Sequence, residues 1–217
     1  MSSANHSEFL AHHFDSMKQQ REAVSLGMWV FLVTEIMFFG AIFLAYFIYR
    51  YLYPTMFYDM SRQLDIVLGT VNTAVLLTSS LTMALAVNAA QTGKTKRLIA
   101  MLVVTLLFAA AFLVIKGFEY HHKFEVGMVP GKLFTFQSPH GPQAQLFMSF
   151  YFGATGLHGL HVLIGVGLIA WFIMRARRGD FPAENFQPVE ILGLYWHFVD
   201  LVWIFVFPLF YLIGRSS

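Results

Sequence analysis

The sequence predicts an all-α polytopic membrane protein, a bundle of five transmembrane helices, and three observations carry that reading. Of the 217 residues, 57% are hydrophobic and only 12% charged, a balance foreign to soluble domains. Five stretches, at about 26–49, 66–87, 98–118, 144–174 and 191–213, are long and apolar enough to cross a hydrocarbon layer of roughly 30 Å. Runs of that length are helices and not the ten-residue strands of a barrel, because in lipid each backbone N–H and C=O must be paired within its own segment.

The elements follow in order. Residues 1–25, with His6, His12, His13, Asp15, Lys18 and Arg21, read as a polar aqueous segment, with a short interfacial helix between Phe14 and Val24. They contain no short apolar core followed by a small-residue cleavage site, so the first span is expected to stay as an anchor. The rest, 26–214, reads as one transmembrane domain without internal repeats. A turn with Pro54, Asp59, Arg62 and Asp65 leads to the second span, and a basic link with Lys94, Lys96 and Arg97 leads to the third. That third span is the shortest and reaches Phe118 only if Lys116 snorkels to the interface. The stretch from Lys116 to Gln143, with Gly127, Pro130, Gly131, Pro139, Gly141 and Pro142, reads as a surface loop. The fourth span exceeds the bilayer thickness and should tilt or protrude. A second basic link, with Arg175, Arg177 and Arg178, precedes the fifth. Both basic links fall on the side of the N-terminus, which places that end in the cytoplasm and the C-terminus in the periplasm of a bacterial inner membrane. Trp29, Tyr51, Tyr53, Tyr58 and Trp171 suit aromatic belts at the span ends.

Composition also excludes. A net charge of +2, with its basic residues scattered between spans, gives no nucleic-acid footprint. The absence of cysteine removes disulfides, thiolate metal ligands, iron–sulfur clusters and c-type haem. No phosphate loop, dinucleotide fingerprint or nucleophile elbow is present.

Polar groups inside the spans carry whatever chemistry the chain has. Glu35 lies about 13 Å into the first span at roughly 1.5 Å per residue, near the hydrocarbon midplane. A carboxyl there is tolerated only when neutralised or partnered, which points to proton handling, a buried polar network or a lipid contact; a neutral acid tying two helices together is the plainer alternative. His158 and His161 share a face of the fourth span, among Gly153, Gly156, Gly159, Gly165 and Gly167, which admit a close neighbour. His197 and Asp200 repeat the three-residue spacing on the fifth, beside Tyr195 and Trp196. Mutual partnering of these five groups, or pairing with a lipid headgroup, is the expected arrangement. No metal site is expected. A haem between His158 or His161 and His197 is geometrically open, but same-helix pairs three apart do not suit bis-histidine ligation. His121 and His122 read as solvated loop residues. A free-standing proton or ion carrier is a rival reading, although the second and third spans offer little beyond Asn72, Thr73, Thr78 and Thr105.

The same residues carry a family resemblance. The run Leu26-Gly27-Met28-Trp29-Val30-Phe31-Leu32-Val33-Thr34-Glu35-Ile36-Met37-Phe38-Phe39 resembles the glutamate-bearing helix of cytochrome c oxidase subunit III. Ala154-Thr155-Gly156-Leu157-His158-Gly159-Leu160-His161-Val162 resembles its paired-histidine helix, and Tyr195-Trp196-His197-Phe198-Val199-Asp200-Leu201-Val202-Trp203-Ile204-Phe205 its terminal helix. Phe118-Glu119-Tyr120 also matches. Longer members have seven helices with a lipid-filled cleft after the second; this sequence is similar to the shorter bacterial forms, so another subunit completes that cleft or it is absent. The superfamily includes quinol oxidase subunits and nitric oxide reductase-associated homologues.

The resemblance implies a subunit with no redox cofactor of its own, beside a catalytic subunit I that holds haem and copper and reduces oxygen to water while pumping protons. Subunit II and a small subunit IV are the further implied partners, and cytochrome c the implied electron donor. The implied role is to stabilise subunit I, support proton uptake and bind phospholipid. Glu35, His158, His161, His197 and Asp200 carry over as the polar, proton-related interior, and Trp29, Glu35, His158 and Trp196 as lipid-binding candidates.

Overall fold

The computed structural model describes residues 14–215. His6, His12, His13 and the rest of the polar segment ahead of Phe14 lie outside the described residues. Helix α1, Met17–Leu52, runs unbroken through the expected interfacial helix into the first span. No proline interrupts it, and the Ser16 hydroxyl caps it by accepting from the Gln19 N–H at 3.2 Å. Pro54 cannot continue α1 but suits a first helical turn, and it opens the nine-residue α2, Pro54–Arg62, where the sequence reading had only a turn. The spacing of Met56, Phe57, Met60 and Ser61, all buried, supplies the inward face that α2 needs.

The Asp65 carboxylate caps α3, Ile66–Gln91, accepting from the Val67 and Leu68 N–H groups at 2.8 and 3.2 Å. Gly93, at φ 68°, turns the chain into α4, Thr95–Glu125. This helix corrects the reading of 116–143 as loop. It continues through Lys116, Glu119 and Lys123, which recur at helical spacing on one face and are 7%, 2% and 3% exposed. Helix α5, Ala144–Arg178, has 35 residues and ends at Gly179 in the left-handed region. Helix α6, Gln187–Phe207, gives way at Pro208, which has no N–H to continue the ladder, and a π turn, Pro208–Leu212, follows.

Five of these helices are long and apolar enough to cross a membrane. They form an all-helical bundle in which α3 and α4 pack as an antiparallel hairpin, while α6 packs against α1, α3 and α5. Lipid is as apolar as leucine, so these helices are held by shape and polar contacts. Shape is clearest at Gly165, where a Cβ would stand 2.6 Å from the Trp196 ring. Polar contacts gather where α2 holds the irregular end of α6. Ser61 Oγ donates to Phe210 O at 2.6 Å, Arg62 Nε to Gly214 O at 2.6 Å, and Tyr46 OH to Leu209 O, satisfying carbonyls that the broken helix leaves open. Helix α1 is the outlier, with Leu26 66% and Met37 70% exposed on its outer side.

Candidate functional site

The five predicted polar groups do not form one cluster. The structure brings two of them together, Glu35 from α1 and His161 from α5, with His161 Nε2 3.2 Å from Glu35 Oε2 and both side chains less than one-fifth exposed. His161 Nδ1 lies 2.9 Å from Leu157 O. A carbonyl only accepts, so Nδ1 carries a hydrogen and the neutral ring offers Nε2 as a lone pair. The two groups approach at ion-pair distance, but Glu35 Oε2 makes no hydrogen bond within the protein. Phe39 packs 5.5 Å from the imidazole, and Tyr195 OH donates to His161 O at 2.9 Å, so α6 holds this turn of α5.

An apolar groove of about 540 Å³ runs between α1 and α5 next to the pair, lined by Phe38, Ala41, Ile42, Phe150, Gly153 and Leu157. Leu157 both lines the groove and supplies the carbonyl that orients His161. Trp29 is 57% exposed near one end of α1, in a shallow depression with Arg21, Phe186 and Gln187. Arg21 Nη2 donates to Glu184 O at 2.7 Å and Gln187 Nε2 to Arg21 O at 2.8 Å, tying the start of α1 to the link between α5 and α6.

The other predicted residues lie elsewhere. His158 is 1% exposed and packed edge-on against Phe112, 5.6 Å away, and tilted against Trp203, 5.1 Å away. His197 Nδ1 is 2.8 Å from Ser80 Oγ on α3. Asp200 is 3% exposed beside Ser80. Trp196 is wholly buried against Gly165, and its indole N–H donates to Ser79 Oγ at 3.1 Å. Trp196 and His158 are therefore enclosed by helices and present no surface to lipid, which corrects their placement among the lipid-binding candidates. The three imidazoles have separate neighbours, and among the described residues no group of three or more His, Asp or Glu is placed to hold a metal.

A second polar centre was missed. Lys116 Nζ lies 2.9 Å from Glu119 Oε2, 2.8 Å from Tyr211 OH and 3.2 Å from Tyr151 OH, and both phenols donate to Glu119 Oε1 at 2.6 and 2.8 Å. Lys123 Nζ donates to Gln63 O at 2.5 Å. This is a buried structural knot of α4, α5 and the end of α6, in which Lys116 pairs with Glu119, a carbonyl holds Lys123, and phenols complete the carboxylate's hydrogen bonds. The signal was present in the sequence, since Lys116, Glu119 and Lys123 share a helical face, but reading Lys116 as snorkelling aimed it outward.

Comparison with known proteins agrees with this architecture. The family model described as cytochrome c oxidase subunit III matches residues 4–215. The chain is 32% identical over 209 residues to cytochrome bo(3) ubiquinol oxidase subunit 3 of Pseudomonas aeruginosa, covering 94% of this chain and 92% of that one. It is 31% identical over 192 residues to cytochrome c oxidase subunit 3 of Alkalihalophilus pseudofirmus, covering 87% and 86%. It is also 29% identical over 199 residues to the heme–copper oxidase subunit I+III of Aeropyrum pernix, covering 89% of this chain and 23% of that fused protein. A five-span helical bundle matched over nearly its whole length, with the glutamate, paired-histidine and terminal-helix motifs on its spans, belongs to the cytochrome c oxidase subunit III family, the multi-pass subunit that associates with subunit I of respiratory haem–copper oxidases.

Proposed function

We propose that the chain serves a bacterial inner-membrane cytochrome c oxidase as a subunit without its own haem or copper, supporting proton uptake and the working lifetime of subunit I, with subunit II and a small subunit IV as further partners. The observation that carries this reading is the Glu35–His161 pair beside an open apolar groove. The pair is a polar contact beside this groove, and the groove's apolar lining suits a phospholipid acyl chain. Glu35 and Trp29 are the lipid-contacting residues of this proposal, while His158, His197 and Asp200 form the buried polar interior behind them. A second reading is a quinol oxidase, favoured by the near full-length match to the Pseudomonas aeruginosa ubiquinol oxidase subunit.

Purification in mild detergent tests both. The expected product is a complex in which a large haem-containing polypeptide accompanies this chain and reduced cytochrome c is oxidised. Oxidation of ubiquinol with no activity toward cytochrome c would establish the second reading. Expressed without partners, the chain should have no visible absorbance, and stoichiometric haem lost on His158→Ala or His197→Ala would overturn both readings in favour of a membrane cytochrome.

A further inference from the structure

Hydroxyl groups on the outer side of the bundle are answered within the chain. The Thr78 hydroxyl on α3 bonds back to Ala74 O at 2.8 Å, and on the α4–α5 side Tyr120 OH meets Thr155 Oγ1 at 2.6 Å. His197 is different. It stands midway along α6, Gln187–Phe207, with about 15 Å of helix on either side at roughly 1.5 Å per residue, which is the depth of the hydrocarbon midplane. The ring is half-buried, and Nδ1 lies 2.8 Å from Ser80 Oγ on α3. Nε2 has no partner among the described residues and, unlike both ring nitrogens of His158, is not enclosed by the fold.

Helix register defines the surface around this nitrogen. Leu77 precedes Ser80 by three residues and Ala84 follows it by four, while Leu201 follows His197 by four, so these side chains flank the Ser80–His197 contact along the seam of α3 and α6. Ala84 is exposed, and Leu77, Leu201 and Ile204 are about half exposed. Hydrocarbon cannot supply what the imidazole needs. Either tautomer leaves Nε2 with a hydrogen to donate or a lone pair to fill, and lipid at the midplane presents only methylenes. Ionisable side chains at that depth are paired within protein. The outward residues of α1, such as Leu26, Ile36 and Met37, make no such demand, being large and wholly apolar.

We propose that the α3–α6 seam around His197 is the surface on which a transmembrane helix of subunit I docks, with a hydroxyl or amide side chain of that helix bonded to His197 Nε2. A hydroxyl or an amide serves either tautomer, since each donates and accepts. Ala84, beside the imidazole, lets a partner helix approach closely, and Leu77, Leu201 and Ile204 give it an apolar surface to pack on. Subunit I is the partner that family membership supplies. The docking surface does not depend on the Glu35–His161 contact, so the two proposals can fail separately.

Photo-cross-linking in membranes that hold the assembled oxidase tests the surface. With p-benzoylphenylalanine in place of Leu201, illumination should join this chain to subunit I, and the same substitution at Met37, on the outer side of α1, should not. A product with a second copy of this chain or with another subunit, or a product with lipid alone, would overturn the assignment. His197→Leu should lower several-fold the amount of this chain that stays with subunit I in mild detergent, whereas His197→Gln, which keeps a donor and an acceptor, should retain it. Equal retention of the two variants would remove the hydrogen bond from the proposal. If His197→Leu does not reach the membrane, the cross-link at position 201 decides alone.

Discussion

Glu35 and Glu119 show how one residue type takes two roles according to its neighbours. Glu35 faces an imidazole at a lipid-side seam, whereas Glu119 is 2% exposed and bound by an ammonium and two phenols. A hydrophobic carbodiimide reaches acids from lipid, so it should modify Glu35 in the complex and leave Glu119 and Asp200 untouched, as mass spectrometry of the digested chain would report. Glu35→Gln should keep haem content and initial oxygen reduction near wild type while shortening the turnover lifetime and weakening lipid retention. Lipid content, pumping and lifetime all identical to wild type would remove Glu35 from the proposed function. For Glu119 the opposite holds, because its ion pair is structural. Lys116→Met leaves a buried carboxylate without its cation and should cost about 3–5 kcal/mol, whereas Lys116→Met combined with Glu119→Leu should recover much of that loss. Thermal denaturation of the three complexes checks the ordering.

At the scale of elements, α5 and α6 meet through glycine. Gly165→Val should force Trp196 out of its seat and destabilise the bundle by about 1–3 kcal/mol, an overpacking cost. Gly167→Val, two residues on, meets nothing within 4 Å and should be close to neutral by the same denaturation assay. Helix α2 matters for a different reason. It is too short to cross the membrane, and its value is in carbonyl capture at the end of α6, which lets Pro208 break that helix inside the fold.

For the whole molecule, an odd number of spans places the ends on opposite faces. The start of α1 is bonded to the α5–α6 link, so those two segments share a side, as the basic links at 94–97 and 175–178 require. A reporter fused after Ser217 should lie in the periplasm, and labelling of Lys94 or Lys96 from outside intact cells would reverse the orientation. The long exposed flank of α1, unlike the enclosed faces of α6, is left for lipid or another subunit to cover.

The five spans, their all-helical class and the membrane setting were decided by the sequence alone, because a hydrocarbon solvent permits only one pairing scheme for twenty consecutive apolar residues. The sequence also singled out Glu35, His158, His161, His197 and Asp200 as polar groups inside apolar runs, but not Lys116, Glu119 and Lys123, which lie where it read a loop. Which of them meet was decided only by tertiary structure. His158 and His161 lie on one helical face by spacing, yet the first packs between Phe112 and Trp203 and the second meets Glu35. Spacing along a helix says which side chains are neighbours within that helix; how α1, α4 and α6 are set around α5 says what each one touches. The same distinction explains α4, whose inward Lys116–Glu119–Lys123 face looked like the start of a loop until Tyr151, Tyr211 and the Gln63 carbonyl, far away in the chain, supplied its partners.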